Sequence, residues 1–213
     1  GHTQSDEISL VLRPNTELSA AYFGGRFQKI ATILASTASV AFNRGLTRHL
    51  PGKAPSYPAY EGRAAVFDGR CWAVPTEADA CDVISWREMD ARVNAVSMVA
   101  QANFSAKALH GKSCQEMKEM LHEAGIDYRA LAADLRRGVY YQRVALNRPF
   151  TTEEIEALPE KHAARSNPAL IVSRSILTKV DLPPFERIEN AADVIFRGAE
   201  PIVGAPRPSI DEE

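Results

Sequence analysis

The sequence lacks any apolar run near the roughly 20 residues that crossing a bilayer requires, and no basic stretch followed by an apolar one stands at its start. On that ground neither a membrane-spanning nor a secretory protein is expected. Cysteine is scarce: Cys71, Cys81 and Cys114 are odd in number and have no C-x-x-C spacing. Neither a disulfide framework nor a thiolate zinc site is suggested, and a reducing cytoplasm fits best. Charge of one sign is not in excess either, since 25 Lys and Arg face 27 Asp and Glu for a net charge of -2. A uniformly basic nucleic-acid binder is thereby excluded, so any polyanion has to be met by a local patch. The five histidines, at 2, 49, 110, 122 and 162, show no metal-ligand spacing.

What is there suffices for a globular fold. With 213 residues, 45% hydrophobic and 24% charged, the chain can bury one sizeable core and carry an appendage. It opens on Gly1 rather than Met and becomes strand-like almost at once, so we expect a piece of a longer protein. Ile8-Ser9-Leu10-Val11-Leu12 reads as a buried strand stopped by Pro14-Asn15, with Asp6 and Glu7 at its start. Apolar residues at helical spacing predict a helix from Arg26 to about His49, after which Pro51, Pro55 and Pro58 break the pattern. Ala64-Ala65-Val66-Phe67 and Cys71-Trp72-Ala73-Val74 are strand candidates around a hairpin-like Asp68-Gly69.

Thr76 with Asp79 predicts an N-cap for a helix to about residue 102, with Trp86, Met89, Val93, Val96 and Ala100 on its apolar face. A polar stripe of Arg87, Asp90, Asn94, Ser97 and Gln101 shares that helix. Ser113-x-x-Glu116 is a capping box opening a further helix, with Gly125 placed to close it. Residues 139–146 have the β-branched and aromatic content of a strand. Beyond Pro149 the sequence is Pro-rich and poorly periodic, and residues 206–213 look frayed. The order predicts an α+β fold, an antiparallel sheet with helices on one face, divided into residues 1–147 and an extension over 148–213.

Two constellations could carry chemistry. In Ser5-Asp6-Glu7, adjacent carboxylates on a regular strand point to opposite faces, so one can coordinate Mg²⁺ while the other supports or orients it. By itself the tripeptide more often marks a solvated strand start. Arg26 and Lys29, at i and i+3 after Gly24-Gly25, put two cations at a helix N-terminus, a suitable cradle for a triphosphate or else a solvated basic turn. For Arg136 and Arg137 with Lys161, His162, Arg165 and Arg174, a local basic patch competes with scattered surface charge. Trp72 and Trp86 read as core rather than as base-stacking platforms.

The series taken in order is more specific than any member. His2-Thr3-Gln4-Ser5-Asp6-Glu7-Ile8-Ser9, Arg26-x-x-Lys29, Phe67-Asp68-Gly69-Arg70, Trp86-Arg87-Glu88-Met89-Asp90 with Asn94, His110-Gly111-Lys112 and Arg136-Arg137-Gly138 resemble the tRNA-His guanylyltransferase family, and within it the bacterial and archaeal tRNA-repair branch. Leu158-Pro159-Glu160-Lys161-His162 and Arg165-Ser166-Asn167-Pro168 also resemble that branch.

The resemblance implies a polymerase-palm domain adding nucleotides to the 5′ end of tRNA, in the 3′-to-5′ direction, with two Mg²⁺ ions and with GTP or other nucleoside triphosphates and ATP as substrates. By the same resemblance Asp6 is the second metal carboxylate, Glu7 its acidic neighbour and Ser5 part of the nucleotide site. Arg26 and Lys29 hold phosphates, and Asn94 touches nucleotide or RNA unless it serves a buried polar stripe. Arg92, Arg136, Arg137, Lys161, His162 and Arg165 are the RNA candidates, and a homotetramer is the implied assembly.

Two departures qualify it. The family's first metal carboxylate sits in an Asp-Gly-Arg-x-Phe element that is not in this sequence, so the chain alone should be inactive. Arg92 and Ala95 stand where the eukaryotic branch has His and Asn, which favours templated repair of truncated tRNA. A palm-type nucleotide cyclase and a non-catalytic tRNA-binding remnant are the alternatives.

Overall fold

The computed structural model describes residues 1–13, 22–49 and 62–205. The turn expected at Pro14-Asn15, the prolines at 51, 55 and 58 and the stretch 206–213 lie outside them. The chain forms two compact units, one of Gly1–Val11 with Thr76–Glu213 and the other of Leu12–Pro75.

The first unit is built on a four-stranded antiparallel sheet in the order β2-β1-β3-β4, from β1 (His2–Gln4), β2 (Glu7–Ser9), β3 (Val139–Pro149) and β4 (Ile171–Val180). Residues 147 and 148 both lie in β3, which pairs with β4 over ten positions from Tyr140↔Val180 to Pro149↔Ile171. The expected single strand over residues 8–12 is corrected to a hairpin. Gln4 pairs with Glu7 across a two-residue loop of Ser5 and Asp6, and Leu10 to Arg13 have no regular structure. His2-Thr3-Gln4 is too short and polar to announce itself as a strand. It is held by register with β3, His2↔Tyr140 and Thr3↔Val139.

Helix α2 (Glu77–Asn103) starts at the predicted place, with the Thr76 hydroxyl accepting from the Asp79 amide and the Asp79 carboxylate accepting from the Thr76 amide. That reciprocal cap satisfies two donors that a helix start leaves orphaned. The buried face is only partly the expected one. Val96 and Ala100 are buried as predicted, but Ala80, Ile84, Glu88, Ala91 and Ala95 also face inward, whereas Trp86 and Val93 are 55% and 47% exposed. Small side chains let the helix lie close to its neighbours, and that selects the face over side-chain size.

Short α3 (Ala106–Leu109) precedes α4 (Cys114–Glu123), which begins at the predicted Ser113–Glu116 box. After α4, Gly125 donates to the His122 carbonyl as its expected closing residue. Val96, Ala100 and Leu121 form the core between α2 and α4. A second core joins Cys81 and Ile84 of α2, Tyr140 of β3, Leu182, Phe185 and Ile188, and Val194 of α8 (Ala191–Arg197). Between β3 and β4 lie α6 (Thr152–Ala157) and α7 (Ala163–Ser166).

The sheet is one-sided, as predicted. Tyr140 reaches into the core and the Gln142 amide donates to the Val194 and Ile195 carbonyls, while Tyr141 and Arg143, on the opposite face, are exposed. Between α5 (Ala133–Arg137) and β3, Gly138 has φ 83°, and a Cβ there would stand 2.5 Å from His2 Nε2 and 2.6 Å from the Thr3 carbonyl. Only glycine lets β1 approach this closely.

In the second unit α1 (Phe27–His49) forms as predicted. The two strands expected at 64–67 and 71–74 do not, for residues 63–74 carry no strand pairing. The segment is pinned to α1 instead. Asn43 donates to the Ala65 carbonyl at 2.8 Å and accepts from its amide at 2.9 Å, the Ser39 hydroxyl accepts from the Phe67 amide at 2.9 Å, and Phe67 packs edge-on to Phe42. Helix side chains thus supply the partners that a neighbouring strand would have given. Asp68-Gly69 is no hairpin turn: a Cβ on Gly69 would lie 2.4 Å from the Ala31 carbonyl oxygen. Gly69→Ala should therefore loosen this unit by about 1–3 kcal/mol, read as faster amide exchange at Ala65 and Phe67 than in the parent.

Candidate active site

The Asp6 hairpin is the centre of the candidate site. Its loop holds Ser5 at φ 53°, one of two non-glycine residues with positive φ among the described residues. Two-residue hairpins demand such a conformation, and a serine adopts it at some expense in energy. Ser5, Asp6 and Glu7 are all exposed, and the Thr3 hydroxyl donates to the Glu7 carbonyl at 2.8 Å across the turn. The Asp6 carboxylate is therefore presented to solvent at the tip.

Glu7 is differently placed. Its Oε2 pairs with Nη2 of Arg87 on α2, and the same nitrogen lies 2.8 Å from Asp90 Oδ2. The Arg87 guanidinium also stacks on Trp86, 4.4 Å from the ring. Trp86 is thus neither core nor, as placed, a free base platform, and Trp72 is likewise 56% exposed, correcting the expectation that both are core.

One helical position on, Glu88 is 1% exposed. Its carboxylate accepts from the Tyr140 hydroxyl at 2.7 Å, from Arg92 at 2.5 Å and from the Phe185 amide at 3.3 and 3.4 Å, with Arg137 at 3.8 Å. Arg92 also forks onto both oxygens of Glu186 at 2.9 Å. Burial and the Glu88 charge hold the Tyr140 phenol well above its ordinary value, so it stays a donor. Sequence reasoning missed this network, because Glu88 inside a run of charged residues carries no mark of burial.

His2 lies against Tyr140 with ring centroids 4.8 Å apart and donates from Nε2 to the Arg137 carbonyl at 2.7 Å. Burial lowers its affinity for a proton, opposed by that hydrogen bond and by Glu88. The unfolded chain then binds the proton better, so the contribution is fully present above about pH 6.5 and is lost as pH falls below it. Denaturant midpoints should drop between pH 7.5 and 5.5, and His2→Gln should flatten that slope.

In the other unit Tyr22–Gly25 form a tight turn with Phe23 and Gly24 at positive φ before α1. Arg26 Nε donates to the Phe23 carbonyl at 3.3 Å, and Lys29 Nζ stands 5.1 Å from the Phe23 ring centre. Both cations are exposed at the α1 N-terminus, where free amides and the helix dipole favour an anion.

The RNA candidates divide. Arg92 and Arg137 belong to the Glu88 network, Arg136 donates to the Leu131 carbonyl, Arg165 donates to those of Glu156 and Leu158, and His162 accepts from the Ala164 amide. Lys161 is exposed and Asn94 half-buried on α2. The described residues contain no group of three or more His, Cys, Asp or Glu that could hold a metal, and no helix among them is long and apolar enough to cross a membrane. At the hairpin tip Asp6 offers a hard oxygen donor open to Mg²⁺, which takes one or two carboxylates plus phosphate oxygens. The residues present fit half of a metal site.

Residues 1–75 match the family model of tRNAHis guanylyltransferase. The resemblance read from the motifs is borne out. A probable tRNA(His) guanylyltransferase of Drosophila melanogaster is 29% identical over 151 residues, 66% of this chain and 49% of that protein. The tRNA(His) guanylyltransferase of Saccharomyces cerevisiae is 29% identical over 136 residues, 59% of this chain and 54% of that one. The chain spans about half the length of these curated relatives. Among solved structures, a bacterial tRNA(His) guanylyltransferase (Thg1)-like protein in complex with ATP superposes with a TM-score of 0.55 at 32% identity, over 65% of this chain and 57% of that one. The antiparallel sheet with its one-sided helices is the fold shared with this tRNAHis guanylyltransferase relative.

Proposed function

We propose that the protein to which this chain belongs is a Mg²⁺-dependent nucleotidyltransferase that adds nucleotides to the 5′ end of tRNA in the 3′-to-5′ direction. The observation that carries this reading is Asp6, exposed on a strained hairpin tip while its neighbour Glu7 is tied to Arg87. The 3′-hydroxyl of an incoming nucleoside triphosphate attacks the 5′ phosphorus of the tRNA, and pyrophosphate leaves from a 5′-triphosphate end, or AMP from an end first activated by ATP. Asp6 is the protein's ligand for the ions, which when bound neutralise charge on the phosphates. Arg26 and Lys29 bind triphosphate oxygens, Ser5 lines the nucleotide, and Asn94 contacts nucleotide or RNA.

Residues 1–147 carry the chemistry, and 148–213 extend it with Lys161 and Arg165 toward tRNA. The resemblance calls for a further metal carboxylate, in an Asp-Gly-Arg-x-Phe element that is not among these residues. Cytoplasmic location and a homotetramer complete the proposal.

The test incubates the full-length gene product with 5′-truncated tRNA, Mg²⁺ and each nucleoside triphosphate. Templated 5′ extension is expected. Cyclic nucleotide without extension, or tight tRNA binding without addition, would overturn it.

A further inference from the structure

Glu7 and Asp6 are neighbours in sequence, yet the structure gives them different work. Strand β1 of the hairpin is held by its backbone to β3, whereas edge strand β2, among the described residues, pairs only with β1, over three positions. The link from the β2 arm to α2 is a side-chain one. Arg87, 12% exposed, holds both Glu7 and Asp90 through Nη2, and its planar group rests on Trp86. A guanidinium so enclosed has few other orientations, which makes it a stiff strut. For Glu7 to ligate a cation through Oε2 it would have to give up this partner, and through Oε1 it would bring the ion beside the Arg87 charge.

Resting on the reading of Asp6 given above, we infer that Glu7 is not a ligand of the metal ion but a tether: through Arg87 it fixes the Asp6 hairpin on α2, making Arg87 a positioning residue for the reaction. The tether matters because misplacing a reacting group by about 1 Å can lower a rate by about 10²-fold. Its loss should act on the turnover of the bound complex rather than on the number of donors offered to Mg²⁺.

The full-length gene product is assayed for 5′ extension of truncated tRNA over a Mg²⁺ series, as parent, Glu7→Gln, Arg87→Gln, Arg87→Lys, the Glu7→Gln/Arg87→Gln double variant and Asp6→Asn. Each single tether variant should lower kcat by about 10²-fold with the half-saturating Mg²⁺ concentration unchanged. The double variant should be no worse than the poorer single one, because both remove one interaction. Arg87→Lys should recover part of kcat, since it keeps the charge and loses the planar group that stacks on Trp86.

Without Mg²⁺ or substrate, amide exchange over residues 4–8 should quicken equally in Glu7→Gln and Arg87→Gln and stay at the parent rate in Asp6→Asn. A raised half-saturating Mg²⁺ in Glu7→Gln alone, multiplying losses in the double variant, or unchanged exchange would overturn the tether. Full activity in Asp6→Asn would sink the metal reading instead. Should Arg87→Gln fail to fold by circular dichroism, Arg87→Lys and Glu7→Gln carry the same comparison.

Discussion

Asp6→Ala in the full-length protein should abolish 5′ extension while leaving the fold intact. The carboxylate is exposed at a hairpin tip, so nothing packs on it and its removal should leave the melting temperature close to the parent's. Its contribution is to charge neutralisation on the phosphates, an effect worth several kcal/mol, which at about 1.4 kcal/mol per tenfold corresponds to a loss of about 10²-fold or more in kcat. Single-turnover extension of a 5′-triphosphorylated tRNA reads the step directly. Extension within a few-fold of the parent would remove Asp6 from the chemistry.

Glu88→Ala should have the opposite profile, a large loss of stability at a residue with no part in the reaction. Its carboxylate is the shared acceptor for Tyr140, Arg92 and the Phe185 amide and lies 3.8 Å from Arg137. Removing one member of a buried ionic set strands the others without counter-charge, at about 3–5 kcal/mol. That is a large fraction of the roughly 5–15 kcal/mol by which a domain is stable. Glu88→Gln keeps the shape and one acceptor and should fall between alanine and parent. Urea unfolding checks both, and a midpoint for Glu88→Ala equal to the parent's would show that the network contributes nothing.

Features decided by neighbours in sequence were legible. Thr76 with Asp79 and Ser113 with Glu116 close their hydrogen bonds within three residues, so the starts of α2 and α4 could be read directly. Strand β4 could not: its ten-residue pairing with β3 joins residues across an intervening stretch of helices and prolines, and that pairing leaves no local mark. The same holds at the hairpin. Asp6 and Glu7 stood out by motif, but the Glu7–Arg87 ion pair spans 80 residues. The burial of Glu88 and the exposure of Trp86 follow from which face of α2 its alanines turn inward. Residues 64–74 were misread because their composition suits a strand, whereas Asn43 and Ser39 answer their backbone from a helix.

Strand β1 also has a bearing on the order in which the protein is made. His2 and Thr3 take their register from Tyr140 and Val139, so the hairpin that carries Asp6 has no sheet to join until well over half of this chain has left the ribosome. At about 5–20 residues per second, that is a wait of several seconds or more between the synthesis of the hairpin and that of its partner strand. Asp6 is thus set in place well after it is translated, and a nascent chain stalled before β3 would display the carboxylate without the architecture that gives it a purpose.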